Sequence, residues 1–318
     1  IWLSERQDVT DFLEAMTVRF LEFLAANDHW KSRYNHNHLR ISRAIESLRV
    51  LHSWELSNWF YNKVVELAGP SFENMEASNE YWSTYASQIH DRIAGALVGL
   101  AIGDALGAPV EFSPRGTFEP VTGYREGGRF KLPAGAWTDD TAMALCMAQV
   151  LISNNGLEPE KLLESFCDWA EHGSNTSTGV AVGIGQNTLR VLGDYRRNGY
   201  LEALPFGSKN DGNGSLMRLA PVACYAHSDP AQAIQLASQQ SRATHASRSA
   251  DQSCQLVADL LCGLINGCNF EDLWQVASKR NWNRAVGSLF DYNYTELDAD
   301  NVNAGGYVID TLHAALWS

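Results

Sequence analysis

The sequence predicts an all-α fold, a helical globule with an added N-terminal helical module. Three observations support this prediction. Apolar residues recur at three- and four-residue steps over long stretches, alternating β patterns are nearly absent, and every glycine except Gly69 follows residue 90. Because no internal repeat, low-complexity tract or heptad pattern occurs, we expect a helical body whose loops carry the chemistry.

Residues 1–88 form the predicted N-terminal module. Its apolar residues, such as Phe12, Met16 and Phe20, recur at the spacing of amphipathic helices, and the breaker pair Gly69-Pro70 closes that pattern. The module holds five of the ten tryptophans, namely Trp2, Trp30, Trp54, Trp59 and Trp82. These aromatics either pack the module's own core or, as tryptophans do at binding hot spots, contact a protein partner.

Residues 89–318 are predicted to form the second domain. The run from Ala94 to Ala101 is rich in alanine and glycine, whose small side chains let helices approach closely. Further helices are predicted at residues 141–152, 159–171, 231–241, 246–265 and 307–317.

Composition excludes several classes of partner. With 24 basic and 37 acidic residues the formal net charge is −13, so we expect neither nucleic acid nor an anionic membrane to bind. The longest apolar run, residues 93–102, is about half of what a bilayer crossing requires. The six cysteines show no CxxC or zinc-type spacing, which predicts buried, reduced thiols and a cytoplasmic location.

The strongest motif is Trp137-Thr138-Asp139-Asp140-Thr141, directly before an apolar helix. In a structural interpretation Thr138 or Asp139 caps this helix, and the carboxylates favour its dipole. In a functional one the motif is a metal site, because adjacent carboxylates in a helical turn point about 100° apart and can reach two ions or two sides of one. Such oxygen ligands suit Mg²⁺ or Mn²⁺ rather than zinc.

A second acidic element ends in Glu111, which follows glycines, a proline and apolar residues. A carboxylate among apolar neighbours is costly unless it is paired, so Glu111 is a candidate ligand or gate at the metal. The alternative is a surface glutamate after a turn.

Two glycine-rich loops, residues 177–185 and 210–215, offer backbone amides to an anion, although ordinary turn chemistry explains them as well. Neither is a P-loop or a GxGxxG motif. Thr244-His245 opens the helix predicted from residue 246, and a lone histidine at a helix start is usually a capping or surface residue. Because neither a GxSxG elbow nor a Cys-His pair is found, catalysis by a nucleophilic serine or cysteine is disfavoured.

Taken in order, these segments resemble the ADP-ribosylglycohydrolase family, the relatives of dinitrogenase reductase-activating glycohydrolase. The resemblance covers about residues 89–318, and the ordered set is specific although each motif alone is ordinary. The matching motifs are GDALGAPVEF (Gly103 to Phe112), WTDDTAMAL (Trp137 to Leu145), STG (Ser177 to Gly179), NGSLMRLAPV (Asn213 to Val222), Thr244-His245 and the segment from Gly305-Gly306-Tyr307 to Trp317.

The resemblance implies a hydrolase with two Mg²⁺ or Mn²⁺ ions that removes ADP-ribose from a modified protein side chain. The side chain expected to carry the ADP-ribose is arginine. It implies Thr138, Asp139 and Asp140 as metal ligands, with Glu111, Asp139 and Asp140 as the catalytic residues. Two divalent ions can hold ribose hydroxyls and lower the pKa of an attacking water, with an oxocarbenium-like transition state. The implied ADP-ribose-binding residues are Gly179, Asn213, Gly214, Ser215, Met217 and, near the distal end of the ligand, His245.

One family motif is missing. Members carry a second acidic motif of the type Gly-Asp-x-Asp-Thr on a late helix, whereas Asp298-Ala299-Asp300-Asn301 has asparagine in place of threonine and precedes Gly305. Because the sequence begins with Ile1 and ends within an apolar stretch, we expect both ends to be trimmed and the late motif to lie beyond Ser318.

The N-terminal module adds a second hypothesis. A family hydrolase with such an extension resembles the immunity proteins that protect bacteria from interbacterial ADP-ribosylating toxins. The resemblance implies a cognate ADP-ribosyltransferase toxin as a partner beside the ADP-ribosylated substrate. The alternatives are a stoichiometric toxin inhibitor acting through residues 1–88, with catalysis secondary or lost, and a regulator of endogenous ADP-ribosylation.

Overall fold

The computed structural model describes residues 7–86, 88–205, 207 and 211–318, so that Trp2 and Asn210 lie outside the described residues. The all-α prediction is confirmed, since the described part of the chain holds helices and, in place of strands, two isolated bridges. The helices are α1 (Gln7–Ala25), α2 (His36–Leu51), α3 (Trp54–Ala68), α4 (Glu76–Ala86), α5 (Gln88–Gly107), α6 (Asp139–Asn154), α7 (Pro159–His172), α8 (Gln186–Asn198), α9 (Ala220–Tyr225), α10 (Pro230–Thr244), α11 (Arg248–Ile265), α12 (Phe270–Ser278), α13 (Arg284–Gly287) and α14 (Val308–Trp317).

The chain divides into two compact units, Ile1–Arg92 and Ile93–Ser318. In the first unit α2 packs against α3 and α4, and α1 packs against α3. Helix α3 begins where Ser53 accepts a hydrogen bond from Leu56 N and ends at Gly69, which has a φ of 54°. The buried residues of this unit are Leu24, Trp30, Ile41, Ile45, Leu48, Phe60, Val64, Ala68, Met75 and Trp82.

Two tryptophans of the first unit belong to its core. Trp30 donates its indole N–H to the Leu24 carbonyl (2.9 Å), and Trp82 donates to Ser42 Oγ (2.9 Å). A buried indole with a satisfied N–H is a structural group. Trp30 and Trp82 are therefore unavailable to a partner, whereas Trp59 is 41% exposed.

In the second unit α10 and α11 form the most extensive helix pair, and α6 packs against α7 and α9. The buried apolar face of α6 and α7 includes Met143, Met147, Leu162, Phe166 and Trp169. A second cluster joins α11 to α12, α13 and α14 around Leu260, Leu289 and Leu312.

The junction between α10 and α11 differs from the sequence prediction. Thr244 is the last residue of α10, and α11 begins at Arg248, with Ser247 Oγ accepting a hydrogen bond from Ala250 N (3.0 Å). The placement of Thr244-His245 at the start of a helix is therefore wrong, because His245 has extended backbone angles and Ser247 provides the N-cap.

All six cysteines are free thiols. Cys146, Cys167, Cys254 and Cys262 are buried, Cys224 is half-buried and Cys268 is exposed. The prediction of buried thiols is therefore wrong for Cys268.

One helical stretch of the described chain, within Glu55–Val110, contains a window that by length and composition alone could cross a membrane. Only 11% of that window is buried within the structure. That the protein does not bind a membrane therefore stays a prediction.

Candidate active site

The start of α6 is held by a carboxylate from another helix. Thr138 occupies the N-cap position, but its side chain makes no capping bond. Instead Asp104, on α5, accepts hydrogen bonds from the backbone N–H groups of Thr138 and Thr141 (3.0 Å each). In the structural interpretation of the motif, Thr138 or Asp139 would cap this helix, but the capping carboxylate is that of Asp104.

Asp104 also fixes two hydroxyl groups. Thr138 Oγ1 donates to Asp104 Oδ1 and Thr141 Oγ1 donates to Oδ2, each at 2.7 Å. A second acceptor for Thr138, Asp140 Oδ2, lies farther away at 3.4 Å. The Thr138 proton therefore points to Asp104, which leaves the lone pairs of Oγ1 free for another electropositive group.

Three further carboxylates, those of Glu111, Asp139 and Asp140, interact electrostatically near this turn. Burial, followed by the charge of Asp140, raises the pKa of Asp139 well above its ordinary value. Burial and the charges of Asp104 and Glu111 raise the pKa of Asp140 to about 7. Burial and then Asp104 raise the pKa of Glu111, an effect that Arg129 partly offsets. The predicted Glu111, Asp139 and Asp140 are thus brought together.

The loop before α8 approaches this cluster through Gly183. Its φ is 82°, and a Cβ built on it would collide with Asp139 Oδ1. Only glycine satisfies both conditions. Gly183 therefore contacts the carboxylate cluster, whereas the predicted Gly179 is exposed and a Cβ on it would meet no atom within 4 Å.

The second glycine-rich loop is held by the Gly305 segment. Gly212 bridges with Tyr307, and Asn213 N donates to the Gly306 carbonyl (3.0 Å). The Asn213 side chain donates to Thr311 Oγ1 (3.1 Å). These bonds fix the loop between α14 and His245.

His245 lies against the same loop and is 2% exposed. A Cβ on Gly214 would lie 2.9 Å from its Cε1 atom, so glycine lets the loop approach the ring. At the N-terminus of α8, Asn187 Nδ2 donates to the Thr244 carbonyl (2.7 Å). Because Gly183 precedes α8 by three residues, this loop and helix connect the carboxylate cluster to His245.

The fully buried Arg218 is a residue of this region that sequence reasoning did not select. Its guanidinium lies 4.5 Å from the Phe166 ring centroid and donates to the side chain and carbonyl of Gln240 (2.9 and 3.0 Å) and to Thr244 Oγ1 (2.7 Å). Burial lowers its pKa to about 10, and the charge of Asp139 counteracts this effect. Arg218 therefore carries a buried positive charge that interacts with both Asp139 and His245.

Other predicted residues occupy supporting positions. Ser215 is fully buried, with its Oγ bonded to Ser241 Oγ (2.9 Å), and Met217 is half-buried with its N–H bonded to the Asn213 carbonyl (3.0 Å). Two surface hollows, one lined in part by Gln149 and Glu164 and the other in part by Leu201, contain none of the predicted site residues.

The donor set at α6 fits part of a divalent metal site. Asp139, Asp140 and the Thr138 hydroxyl are hard oxygen donors, and burial and neighbouring carboxylates raise the pKa of both aspartates, an effect that a bound cation would offset. No group of three or more histidine, cysteine or carboxylate side chains suited to a metal is found in the described ranges. The described residues thus provide a partial coordination sphere.

Comparison with known proteins gives the family. The ADP-ribosylglycohydrolase model matches residues 86–318, most of the chain. The chain belongs to the ADP-ribosylglycohydrolase family. ADP-ribosylglycohydrolases depend in general on a divalent metal, in agreement with the oxygen donors at α6.

The chain is similar to two bacterial proteins named ADP-ribosylarginine hydrolase Tri1. Identity is 36% to that of Pseudomonas putida (strain GB-1) and 37% to that of Serratia proteamaculans (strain 568), over 73% of this chain in each case. The matches span 62% and 63% of those relatives, so the chain spans less than two thirds of their length.

Two further similarities agree with these. The ADP-ribosyl-[dinitrogen reductase] glycohydrolase of Rhodospirillum rubrum is 29% identical over 72% of this chain and 74% of its own. A solved structure described as an ADP-ribosylglycohydrolase-related protein complex is 34% identical with a TM-score of 0.62, covering 72% of this chain and 75% of that one.

Asp104 and Arg218 lie inside motifs that carry the family resemblance, and Gly183 lies in the glycine-rich loop 177–185, but the sequence pattern gave none of the three a role. Arg218 had a detectable signal, since an arginine between Met217 and Leu219 in an apolar run predicts a buried cation. Asp104 had none, because its four donors come from residues more than thirty positions away.

Proposed function

We propose that this chain is a metal-dependent ADP-ribosyl hydrolase that removes ADP-ribose from arginine side chains. The observation that carries the proposal is the adjacent carboxylates of Asp139, which is buried, and Asp140, which is half-buried, beside the Thr138 hydroxyl at the start of α6 in a member of this family. Arginine as the modified residue rests on the names of the two Tri1 relatives.

Thr138, Asp139 and Asp140 would hold the divalent ions, of which the family resemblance implies two. When bound, such ions stabilise negative charge on oxygen and lower the pKa of water. Asp104 serves this site by accepting the Thr138 proton at Oδ1, which keeps the hydroxyl lone pairs available. Mg²⁺ and Mn²⁺ both suit these oxygen donors.

Glu111 is the group best suited to take up a proton from the attacking water. Its raised pKa gives the carboxylate a greater proton affinity near neutral pH than an ordinary glutamate has. Arg129 limits this increase and also lies over the Phe112 ring, 4.7 Å from its centroid. The pair Arg129 and Phe112 thus borders the catalytic carboxylate.

The ADP-ribosyl group would lie along the loop from Asn213 to Met217, beside His245 and the Gly179 loop. Asn213 and Gly214 are half-buried in this loop, and the Asn213 amide is oriented by its hydrogen bond to Thr311 Oγ1. Ser215 has a structural role in this loop, since its hydroxyl is hydrogen-bonded to Ser241 Oγ.

The test is the double variant Asp139→Asn with Asp140→Asn. We expect release of ADP-ribose from an ADP-ribosylarginine protein, measured with Mg²⁺ present, to fall by about 100-fold or more, because loss of a residue that only orients a metal ligand already costs about 10- to 100-fold. The exposed Asp291→Asn is the matched control and should retain full activity. Undiminished release by the double variant, with its folding confirmed by thermal unfolding, would overturn the proposal.

A second candidate function is inhibition of a toxin by direct binding. On α1, Phe12, Met16 and Phe23 lie on one helix face at steps of four and seven and are 63%, 44% and 42% exposed. The same helix carries four acidic residues and one basic residue. An acidic surface with apolar contacts suits an ADP-ribosyltransferase cleft built for an anionic dinucleotide.

Deleting residues 1–85 separates the two functions. We expect the deletion, and the milder pair Phe12→Ser with Phe23→Ser, to weaken binding to an ADP-ribosyltransferase toxin while release of ADP-ribose continues. Val18→Ser, exposed on another face of α1, is the control. Unchanged toxin binding would show that this face is not the contact.

The third candidate, regulation of endogenous ADP-ribosylation, rests on similarity to the Rhodospirillum rubrum glycohydrolase. For all three functions we propose a cytoplasmic location, because the six cysteines are free thiols.

A further inference from the structure

The hydrogen bonds of Arg218 determine which group donates and which accepts in the chain Arg218–Thr244–His245. Its guanidinium has N–H donors and no acceptor, so Arg218 is the donor in each of its hydrogen bonds. One of these, from Nη2, goes to Thr244 Oγ1 at 2.7 Å. The Thr244 oxygen is thus an acceptor in this pair, and its own single proton must go elsewhere.

Among the described residues, the acceptor within reach of the Thr244 hydroxyl is His245 Nδ1, at 2.8 Å. Thr244 is fully buried, and a buried hydroxyl without an acceptor is costly. The hydroxyl therefore donates to Nδ1. An imidazole that accepts at Nδ1 is neutral and carries its proton on Nε2.

The protonated nitrogen faces the glycine loop. Cβ atoms built on Gly212 and Gly214 would lie 3.6 and 3.2 Å from His245 Nε2. The Nε2 edge of the ring therefore packs against the backbone of these two glycines. Within the described part of the chain, Nε2 makes no hydrogen bond. Its N–H is thus a donor without a described acceptor, beside a loop implied to bind ADP-ribose.

The environment supports the same protonation state. Burial and the positive charge of Arg218 lower the pKa of His245 to about 3, which keeps the ring neutral at physiological pH. Apart from its chain neighbour Thr244, the groups that position this pair are Gln240, which accepts from Arg218 through its side chain and carbonyl, and Asn187, which donates to the Thr244 carbonyl.

We infer that Arg218, acting through Thr244, is a positioning residue that holds His245 in the Nε2-protonated tautomer and so directs an N–H donor along the Gly212 and Gly214 loop toward an acceptor atom of the ADP-ribosyl group. The tautomer follows from the hydrogen bonds alone. The identity of the acceptor rests on the proposed function.

The first measurement is ¹⁵N NMR of the imidazole rings in the ligand-free full chain at pH 7, with His245→Asn to assign the signal. We expect a pyrrole-type Nε2 and a pyridine-type Nδ1 in the unmodified protein and in Thr244→Ser, which retains the hydroxyl. Thr244→Val should lose this preference, because Nδ1 no longer accepts a hydrogen bond from a hydroxyl group at position 244. A wild-type ring protonated at Nδ1 would overturn the inference whatever the protein's activity.

The second measurement is the affinity for ADP-ribose, with Mg²⁺ present, by calorimetry. We expect Thr244→Val and Arg218→Met to bind about tenfold more weakly, as the loss of one oriented hydrogen bond predicts, and Thr244→Ser to bind normally. Ser253→Ala, which removes a buried hydroxyl with no described partner, is the control and should bind as the unmodified protein does.

The outcomes separate the inference from the proposed function. If Thr244→Val changes the tautomer while ADP-ribose affinity is unchanged, Arg218 has no positioning role for the ligand. If the unmodified protein has the expected tautomer but does not bind ADP-ribose, the proposed function fails together with the assigned acceptor, whereas the Arg218, Thr244 and His245 chain stands. Because Arg218→Met removes a buried charge and can fail to fold, Thr244→Val and its Thr244→Ser rescue provide the decisive comparison.

Discussion

Asp104 combines two tasks in one carboxylate. It accepts hydrogen bonds from two backbone N–H groups at the start of α6 and from the hydroxyl groups of Thr138 and Thr141. A carboxylate can accept from all four donors because it has four lone-pair sites, whereas an amide has only one accepting atom. The position therefore requires aspartate rather than asparagine.

We expect Asp104→Asn to lower the free energy of unfolding by about 1–3 kcal/mol, since its NH₂ group would leave a backbone N–H of α6 without an acceptor. Affinity for Mg²⁺ should fall as well, because the Thr138 hydroxyl loses its fixed orientation. Chemical denaturation and metal titration measure the two effects.

Asp229→Asn is the matched control for that variant. Asp229 caps α10 through a single hydrogen bond from Gln232 N (3.1 Å), which asparagine can also accept. Equal stabilities for Asp104→Asn and Asp229→Asn would contradict the role given to Asp104.

Asp140 gives the metal-free protein a distinctive pH dependence. Its pKa is raised from 3.8 to about 7, so between these values the native carboxyl retains a proton that the unfolded chain has released. Because the native state binds more protons, the free energy of unfolding should fall as pH rises through this window. Asp140→Asn should flatten the dependence, as followed by thermal unfolding in a chelator from pH 4 to 8.

The same charges predict the response to metal. At pH 8, Mg²⁺ or Mn²⁺ at one hundred times its dissociation constant should stabilise the protein by about 2.7 kcal/mol, and a chelator should remove this gain. Asp291→Asn, at an exposed position, serves as control for both experiments. A metal-free stability that rises between pH 5 and 8 would argue against mutual repulsion in the cluster.

At the scale of elements, two glycines in the loop before α8 share a backbone conformation but differ in their contacts. Gly179 and Gly183 have nearly equal φ angles, 81° and 82°, but only the second contacts Asp139. We expect Gly179→Ala to cost about 1–2 kcal/mol of stability for its left-handed backbone. Gly183→Ala should cost more and also weaken Mn²⁺ binding, because its Cβ displaces the Asp139 carboxylate.

The comparison of these two glycines is the test. Denaturation and Mn²⁺ titration of both variants separate the backbone cost from the collision, since the backbone conformation is shared. Equal metal affinity in the two variants would place Asp139 outside the metal site.

Helical periodicity predicted α1, α7 and α11 because each buries one face against a neighbour. It also predicted the acidic turn at Asp139, since adjacent carboxylates before an apolar helix are visible in the chain itself. It could not predict that Asp104 caps α6 or that Gly183 contacts Asp139. Those relations arise between residues distant in sequence, and only the packed structure brings them together.

At the scale of the whole molecule, each unit has a core of its own. Trp30 is buried in the first and Leu289 in the second. We expect Trp30→Ala to cost about 3–5 kcal/mol in the unfolding of the first unit alone, and Leu289→Ala about 2–5 kcal/mol in that of the second. Scanning calorimetry should show each variant lowering a different transition. A single transition shifted by both variants would instead show that the two units unfold as one.

The distribution of the thiols has a practical consequence for such experiments. Burial raises the pKa of the thiols of Cys146, Cys167, Cys224, Cys254 and Cys262, which suppresses the reactive thiolate, whereas Cys268 is exposed just after α11. A maleimide fluorophore at limiting concentration should therefore attach first at Cys268. The native chain thus offers an optical reporter in its second unit without an engineered attachment point.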